Sequence, residues 1–321
     1  MLEITTHIAA ALFAWIILGW HAHNTWTGHL RRAALVAMII APVSIFWTLW
    51  PYPNWIRALM AIIMFLFLGK TWELGVRKPS RTAKLDAPMD FLIWTICVPE
   101  GRWVASKDER KALRKMAAIR LARSTTKGAF LVGLLYLNQI VDMGAIFVLQ
   151  MTWMGFITYL LFSGLWDAVA GLIALLGIEV SPMFNAPPLA RNPRDFWGRR
   201  WNLWFTSSAH RLIFLPLGGQ GRPLFAVCGV FFISAWLHEV IAILGLKTFD
   251  GRMLVFFTLH GIATIVFTMF DHRWRKPWPR PVAVGLHFIW MVATLQWFMG
   301  PADDMMNMSS WTLEATMNLL S

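Results

Sequence analysis

Long apolar stretches constrain the fold of this chain more than any other feature. The stretches have about the 20 residues that a helix needs to cross a hydrocarbon core of roughly 30 Å. They cover residues 4–20, 33–50, 56–74, 128–150, 152–178, 224–246, 252–270 and 281–300. Only 14% of the 321 residues are charged, whereas a soluble domain carries about 25%. The sequence therefore predicts an all-α, polytopic membrane protein with about eight transmembrane helices.

The basic residues support this topology. With the N-terminus outside, the inner segments are 21–32, 75–127, 179–223 and 271–280. Together with Lys70, they hold all but three of the 29 Lys and Arg residues, the exceptions being Arg57, Lys247 and Arg252. This bias follows the positive-inside rule and predicts that the basic loops are cytoplasmic. The host membrane stays open between a bacterial inner membrane and the endoplasmic reticulum. Because the net charge of +12 lies between apolar segments, we expect no nucleic acid partner.

Two inner segments are expected to form amphipathic helices at the membrane surface. In residues 102–127, Lys and Arg are spaced among Leu, Met and Ile, which is typical of a basic helix on a membrane. Its charges would attract lipid headgroups or contact a phosphorylated cofactor. In residues 191–211, Asn192 can cap a helix that starts at Pro193. Three tryptophans at helical spacing then predict one aromatic face: Trp197, Trp201 and Trp204.

Ionisable residues inside the apolar stretches are candidates for function, because they are costly in hydrocarbon. His238 lies about 14 residues into its stretch, or roughly 20 Å at 1.5 Å per residue. His260 is predicted at a similar depth on the next span. A neutral imidazole can accept a proton near pH 7, but it can also simply bridge two helices. The further candidates at membrane depth are Asp142, Asp167, Glu239 and His287.

Several other chemistries are not supported by the sequence. It has no Gly-rich phosphate loop, no His-Glu-x-x-His metal motif and no Gly-x-Ser-x-Gly nucleophile motif. The two cysteines lie far apart and form no metal-ligand or disulfide pattern. We therefore expect neither a metal nor a tightly bound cofactor.

Three motifs resemble those of the membrane-bound O-acyltransferase superfamily, and within it the plant-type wax synthase group. They read Asp-Phe-Trp-Gly-Arg-Arg-Trp-Asn at 195–202, Ser-Ala-Trp-Leu-His-Glu at 234–239 and Leu-His-Gly at 259–261. They occur in order and place the motif core at about 190–265. The resemblance implies one membrane-embedded domain over 1–321, folded around a chamber. It also implies acyl-CoA as co-substrate and a lipophilic alcohol as acceptor.

The resemblance further implies roles for individual residues. His238 matches the family's membrane-embedded catalytic histidine, and Asn202 matches its second signature position, at the mouth of the chamber. His238 would act as the base that activates the hydroxyl, and Asn202 would hold the thioester or the pantetheine end. The candidates for substrate or cofactor binding are Trp197, Arg199, Arg200, Trp201, His260 and Glu239. For His260, proton transfer, substrate orientation and helix bridging all stay open.

The expected activity is acyl transfer from acyl-CoA to a long-chain alcohol, a sterol or a terpenoid. One alternative is a related acyltransferase that acts on an envelope polysaccharide or a protein hydroxyl. Another is a non-catalytic transport protein of similar fold, which would depend on Asp142 and Asp167. The expected surroundings are a lipid bilayer, and a homo-oligomer is left open.

Overall fold

The computed structural model describes residues 2–48, 50–76, 87–96, 101–104, 106–271, 278–312 and 315. Helices dominate the described residues, as the sequence predicts. The chain forms two compact units, one of residues 1–103 with 243–248 and one of residues 104–242 with 249–321. The prediction of a single acyltransferase domain stays a prediction. Parts of two predicted inner segments, residues 77–86 and 272–277, lie outside the described residues.

The first unit is built from helices packed on a core of large apolar side chains. Its elements are α1 (Leu2–Asn24), α2 (Gly28–Thr48), α3 (Asn54–Gly75), α4 (Pro88–Ile96) and the short strand β1 (Gly101–Trp103). The buried core consists of Trp15, Met38, Leu74, Phe91 and Trp94. The last turn of the helix that ends at Leu246 also belongs to this unit. There the buried Arg57 donates to the carbonyl of Leu244 at 3.2 Å. This contact satisfies one of the carbonyls that a helix end leaves unpaired.

The second unit carries the longer helices and all three sequence motifs. Its elements are α5 (Lys107–Ile140), α6 (Phe147–Leu175), β2 (Ile178–Val180), α7 (Pro193–Arg199), α8 (Leu203–Ala209), a π-helix (His210–Phe214), α9 (Pro223–Leu246), α10 (Arg252–Asp271) and α11 (Arg280–Met306). Three 3₁₀ turns complete it: Pro187–Leu189, Gly219–Gly221 and Met308–Ser310. The last four residues of α9 belong to the first unit.

Six helices of the described residues are long and apolar enough to cross a membrane: α2, α3, α6, α9, α10 and α11. The apolar part of α1, Ile8–Asn24, is shorter than these spans. The chain is therefore an integral, multi-pass membrane protein, as predicted, but the count of eight spans is not confirmed. Which side the basic loops face stays a prediction.

The predicted span at 128–150 is wrong, because the chain turns inside it. α5 ends at Ile140, the backbone turns through residues 141–146, and α6 begins at Phe147. Val141 is extended, and the amide of Gly144 donates to the Asp142 carboxylate at 2.8 Å. Since Val141, Met143 and Ile146 are themselves apolar, hydropathy does not reveal this turn. Asp142 is thus exposed in a connection and does not lie on a transmembrane helix.

The basic segment predicted to form a helix on the membrane surface is the first part of α5, and α5 packs against α6. A methyl group added at Gly171 would meet Leu121 at 2.8 Å, so the two helices approach closely there. The Ser124 hydroxyl donates to the Gly164 carbonyl at 2.9 Å. Lys127 pairs with Asp167 at 2.5 Å. Small residues on α6 therefore let α5 lie alongside it, and one of the predicted membrane-depth carboxylates is held in an ion pair.

Candidate active site

A cavity of about 400 Å³ lies within the second unit. Its wall is formed by α6, by the short helices α7 and α8, by the π-helix and by α9, α10 and α11. Most of the side chains in this wall are aromatic or aliphatic. Both His238 and Asn202 line it, although they come from segments 36 residues apart in the sequence. A single apolar chamber thus contains the two residues that the motifs single out.

His238 presents one ring nitrogen as a hydrogen-bond acceptor. It lies in the second half of α9, and its Nδ1 is 2.8 Å from the carbonyl oxygen of Ser234, one turn earlier. Because a carbonyl only accepts, Nδ1 carries the proton and Nε2 keeps its lone pair. The ring packs against Phe257 and Phe298, with centroids 4.3 and 5.9 Å away. The side chain is partly accessible at the cavity wall. This is the arrangement of a neutral base in an apolar chamber.

Asn202 lies at the break between α7 and α8. Its backbone is left-handed, with φ of 41°, a conformation that asparagine tolerates better than most residues. Its side-chain oxygen accepts from the amide of Phe205 at 3.2 Å and so caps α8. No other side-chain contact of Asn202 occurs among the described residues, which leaves the Nδ2 amide group as a donor at the cavity wall. The capping bond fixes the orientation of that donor.

The three tryptophans of this segment do not share one helical face, contrary to the prediction. Trp197 and Trp201 line the cavity. Trp204 is buried apart from it, where Nε1 donates to the Ser181 carbonyl at 3.3 Å. The helix predicted over 191–211 breaks because α7 ends at Arg199 and Asn202 is left-handed. The predicted start is confirmed, since the Asn192 side chain caps α7 at the amide of Asp195 at 2.8 Å.

His260 is fully buried on α10 and does not line the cavity. The Trp197 indole N–H donates to its Nδ1 at 3.1 Å. Since indole only donates, Nδ1 is unprotonated, and Nε2–H donates to the Thr294 hydroxyl at 2.9 Å. That hydroxyl donates in turn to the carbonyl of Trp290 at 2.8 Å. Both ring nitrogens are thus occupied, and His260 links α7, α10 and α11.

Arg199, Arg200 and Glu239 lie outside the cavity wall. Arg199 is exposed at the end of α7. Arg200 pairs with Asp195 at 2.8 Å and donates to the carbonyl of Asn185 at 3.2 Å. These contacts hold the segment before α7 against the end of that helix. Their predicted part in substrate binding stays a prediction, and the contacts of Arg200 are architectural.

Glu239 holds the loop between α9 and α10. Its Oε1 accepts from the amides of Asp250 and Gly251 at 3.1 and 2.7 Å, and the residue is 0% exposed. The loop is further tied by Arg252, which donates to Asp250 at 2.6 Å and lowers the pKa of that carboxylate. Glu239 therefore fixes the start of α10 and not the ring of His238.

Comparison with known proteins finds a family model that matches the part of the chain containing Asn202 and His238. Residues 180–259 match the model of the membrane bound O-acyl transferase family. The predicted resemblance is confirmed. The matched residues include Asn202 and His238 and end one residue before His260.

The individual relatives are plant proteins. The chain is 30% identical over 157 residues to acyl-CoA–sterol O-acyltransferase 1 of Arabidopsis thaliana, covering 45% of each chain. It is 33% identical over 138 residues to probable long-chain-alcohol O-fatty-acyltransferase 2 of the same plant, covering 40% of each. A third, probable long-chain-alcohol O-fatty-acyltransferase 7, is 31% identical over 142 residues. The matched stretch spans less than half of the length of each of these relatives.

The cavity of this O-acyltransferase-like region also has polar wall residues that the motifs do not indicate. Arg194, His210 and Tyr159 line it, and so does His287, which the sequence marked only as an ionisable residue at membrane depth. His210 opens the π-helix, a distortion that is frequent at functional sites but leaves no trace in hydropathy. Asp142 and Asp167 are not among the lining residues.

The described residues contain no group of three His, Cys, Asp or Glu side chains placed to hold a metal ion. Besides the polar wall residues just named, the cavity offers the imidazole acceptor of His238 and the amide donor of Asn202 among largely apolar walls. Such a set can accept a proton from a hydroxyl and donate a hydrogen bond to a carbonyl.

Proposed function

We propose that this protein is an acyl-CoA-dependent O-acyltransferase that esterifies a lipophilic alcohol inside the membrane. The observation that carries the proposal is that one apolar cavity is lined by both His238, with Nε2 as acceptor, and Asn202, with a free amide donor. The relatives support it, because they are named for acyl transfer to a sterol or to long-chain alcohols. The proposed acceptor class is a long-chain alcohol, a sterol or a terpenoid.

In the proposed reaction, His238 acts first as base and then as acid. Nε2 takes the proton of the alcohol hydroxyl while the oxygen attacks the carbonyl carbon of the thioester. A C–O bond forms, and the tetrahedral intermediate collapses with cleavage of the C–S bond. The CoA thiolate leaves and receives the proton from Nε2. The products are an ester and free CoA, and His238 returns to its starting state.

Two features of the site favour this chemistry. The bond from Nδ1–H to the Ser234 carbonyl makes Nε2 the nitrogen that takes up the proton and later returns it. The aromatic wall around His238, formed in part by Phe257 and Phe298, excludes water from the thioester. Asn202 would donate from Nδ2 to the acyl donor, at the thioester or the pantetheine end. Apolar walls suit a lipophilic acceptor better than a sugar or a protein segment.

The basic loops are proposed to face the cytoplasm, where acyl-CoA is available, in a bacterial inner membrane or the endoplasmic reticulum. Acyl-CoA is proposed as a co-substrate that is consumed and released, and not as a resident cofactor.

The test is release of free thiol from acyl-CoA by purified protein in detergent, with a panel of fatty alcohols, sterols and terpenols. We expect alcohol-dependent release by the wild type and its loss in His238→Ala. His29→Ala is the matched control, because it makes the same change at an exposed position of α2. Size-exclusion profiles establish that each variant is folded. Thiol release without any alcohol dependence, or equal release by His238→Ala, would contradict the proposal.

A further inference from the structure

His287 is a buried histidine whose ring nitrogens have no protein partner. It lies on α11, its side chain is 5% exposed, and it belongs to the cavity wall. Among the described residues, neither Nδ1 nor Nε2 has a hydrogen-bond partner. Most buried polar side-chain atoms in proteins are paired, and leaving one unpaired costs about 1–3 kcal/mol. Two unpaired nitrogens on one ring beside a cavity point to a ligand that completes the pairing.

The other histidines of this region differ from His287 in this respect. His260 uses both nitrogens, with Trp197 and Thr294 as partners. His238 uses Nδ1 and keeps Nε2 for the proposed proton transfer. His287 thus retains one donor and one acceptor on the wall, the full capacity of a neutral imidazole.

Ring contacts connect His287 to the segment that holds Asn202. Its ring is 5.6 Å from that of Phe196, which stacks on Trp201, the residue before Asn202, at 5.5 Å. Toward His238, the ring contacts run from Phe196 through Trp197 to Phe257. Among the described ring contacts, His287 thus touches the helix that precedes Asn202, and none joins it directly to His238.

We propose that His287 binds an amide group in the arm of the acyl donor. This inference rests on the proposed function, which places the donor arm on the Asn202 side. The pantetheine arm of acyl-CoA carries amides, each with one C=O acceptor and one N–H donor, and a neutral imidazole offers the complementary pair. An alkyl alcohol has a single hydroxyl, which the proposed reaction already places at His238. Because the two ring nitrogens point away from each other, one amide pairs with only one of them, through its C=O or its N–H. The amides of the arm supply such partners, whereas the hydroxyl of the acceptor is already engaged at His238.

The test compares His287→Leu with His287→Gln in steady-state kinetics and thermal unfolding. Leucine is apolar and of similar volume, so it removes the unpaired nitrogens, while glutamine restores one donor and one acceptor. For His287→Leu we expect the KM for acyl-CoA to rise ~10-fold, with kcat and the KM for the alcohol changed by less than ~2-fold. The Tm without ligand is expected to stay equal or to rise, because replacing an unpaired polar group by an apolar one is neutral or stabilising. His287→Gln should recover most of the affinity.

Other results would overturn the inference. An unchanged KM for acyl-CoA in His287→Leu refutes it, as does a rise confined to the KM for the alcohol. A lower Tm without any change in KM would show that His287 serves folding alone.

A binding measurement separates this inference from the proposed function. Acyl-CoA is added without alcohol, and the rise in Tm is compared between the wild type, His287→Leu and the control His29→Leu. If the wild type is stabilised by acyl-CoA and His287→Leu is not, His287 binds the donor even where no alcohol is turned over. If acyl-CoA does not raise the Tm of the wild type, and the wild type does not transfer its acyl group to any alcohol, both proposals fail.

Discussion

Replacing Thr294 by valine tests whether His260 is a structural link or a participant in proton transfer. In the wild type, the Thr294 hydroxyl accepts from Nε2–H of His260 at 2.9 Å. Valine has nearly the same shape but no hydroxyl, so Nε2–H is left without its acceptor at a residue that is 0% exposed. Neither residue lines the cavity, so the substitution leaves the cavity wall intact.

The expected loss follows from two general magnitudes. An unpaired buried donor costs about 1–3 kcal/mol, whereas hydrogen bonds between transmembrane helices contribute about 0.6 kcal/mol on average and at most ~1.7. Because His260 is fully buried, we expect a value in the upper part of the range for hydrogen bonds between transmembrane helices. We therefore expect the free energy of unfolding of Thr294→Val to fall by about 1–2 kcal/mol. If the link is purely structural, kcat should stay within ~3-fold of the wild type.

The assay is unfolding by sodium dodecyl sulfate in mixed micelles, followed by circular dichroism, alongside the thiol-release kinetics. A double-mutant cycle with His260→Leu isolates the bond, because the second substitution removes the donor that the first leaves unpaired. Thr125→Val, at an exposed position of α5, controls for the loss of a helical threonine hydroxyl. If the losses in the free energy of unfolding of Thr294→Val and His260→Leu add up fully in the double variant, the bond between the two side chains is refuted. A ~100-fold lower kcat at unchanged stability would place His260 in proton transfer instead.

Two further substitutions test the remaining parts of the site. Asn202→Gly keeps the left-handed backbone and costs only a few tenths of a kcal/mol as a helix cap. We expect ~100-fold lower kcat/KM in this variant because the amide donor is lost, and wild-type kinetics would show that Asn202 takes no part in the reaction. Glu239→Leu removes the acceptor of two loop amides and should lower the free energy of unfolding by about 3 kcal/mol, whereas Glu239→Gln should lose less than half of that. Equal stability of the two variants would show that the loop does not depend on this carboxyl oxygen.

The sequence predicted the apolar helices well, because length and hydropathy are local properties. α2, α3, α9, α10 and α11 lie within a few residues of the predicted stretches. The prediction failed where an apolar sequence turns. Val141 and Ile146 are typical of a span, and only the short turn around Asp142 separates α5 from α6. Hydropathy averages over about 20 residues and therefore joins the end of one helix to the start of the next.

The site was predictable to the extent that it is encoded in short motifs. The motifs single out His238 and Asn202, and both line the cavity. The partners of His260 were not predictable, because Trp197 and Thr294 are 63 and 34 residues away in the sequence. The break at Asn202 was also missed, since tryptophan spacing alone favours a continuous helix there. Contacts between distant segments depend on packing, which no local pattern records.

The hydrogen bond between His238 and the Ser234 carbonyl determines how well the orientation of the base tolerates mutations around it. In many enzymes a histidine base is oriented by a third side chain, so the site is lost when that partner mutates. Here the orienting group is a backbone oxygen one turn earlier in the same helix, and any residue at position 234 other than one that distorts the helix supplies it. The proton arrangement of the base therefore depends on the regularity of α9 and not on a second side chain. Substituting a neighbouring wall side chain therefore leaves the hydrogen bond that orients the base in place.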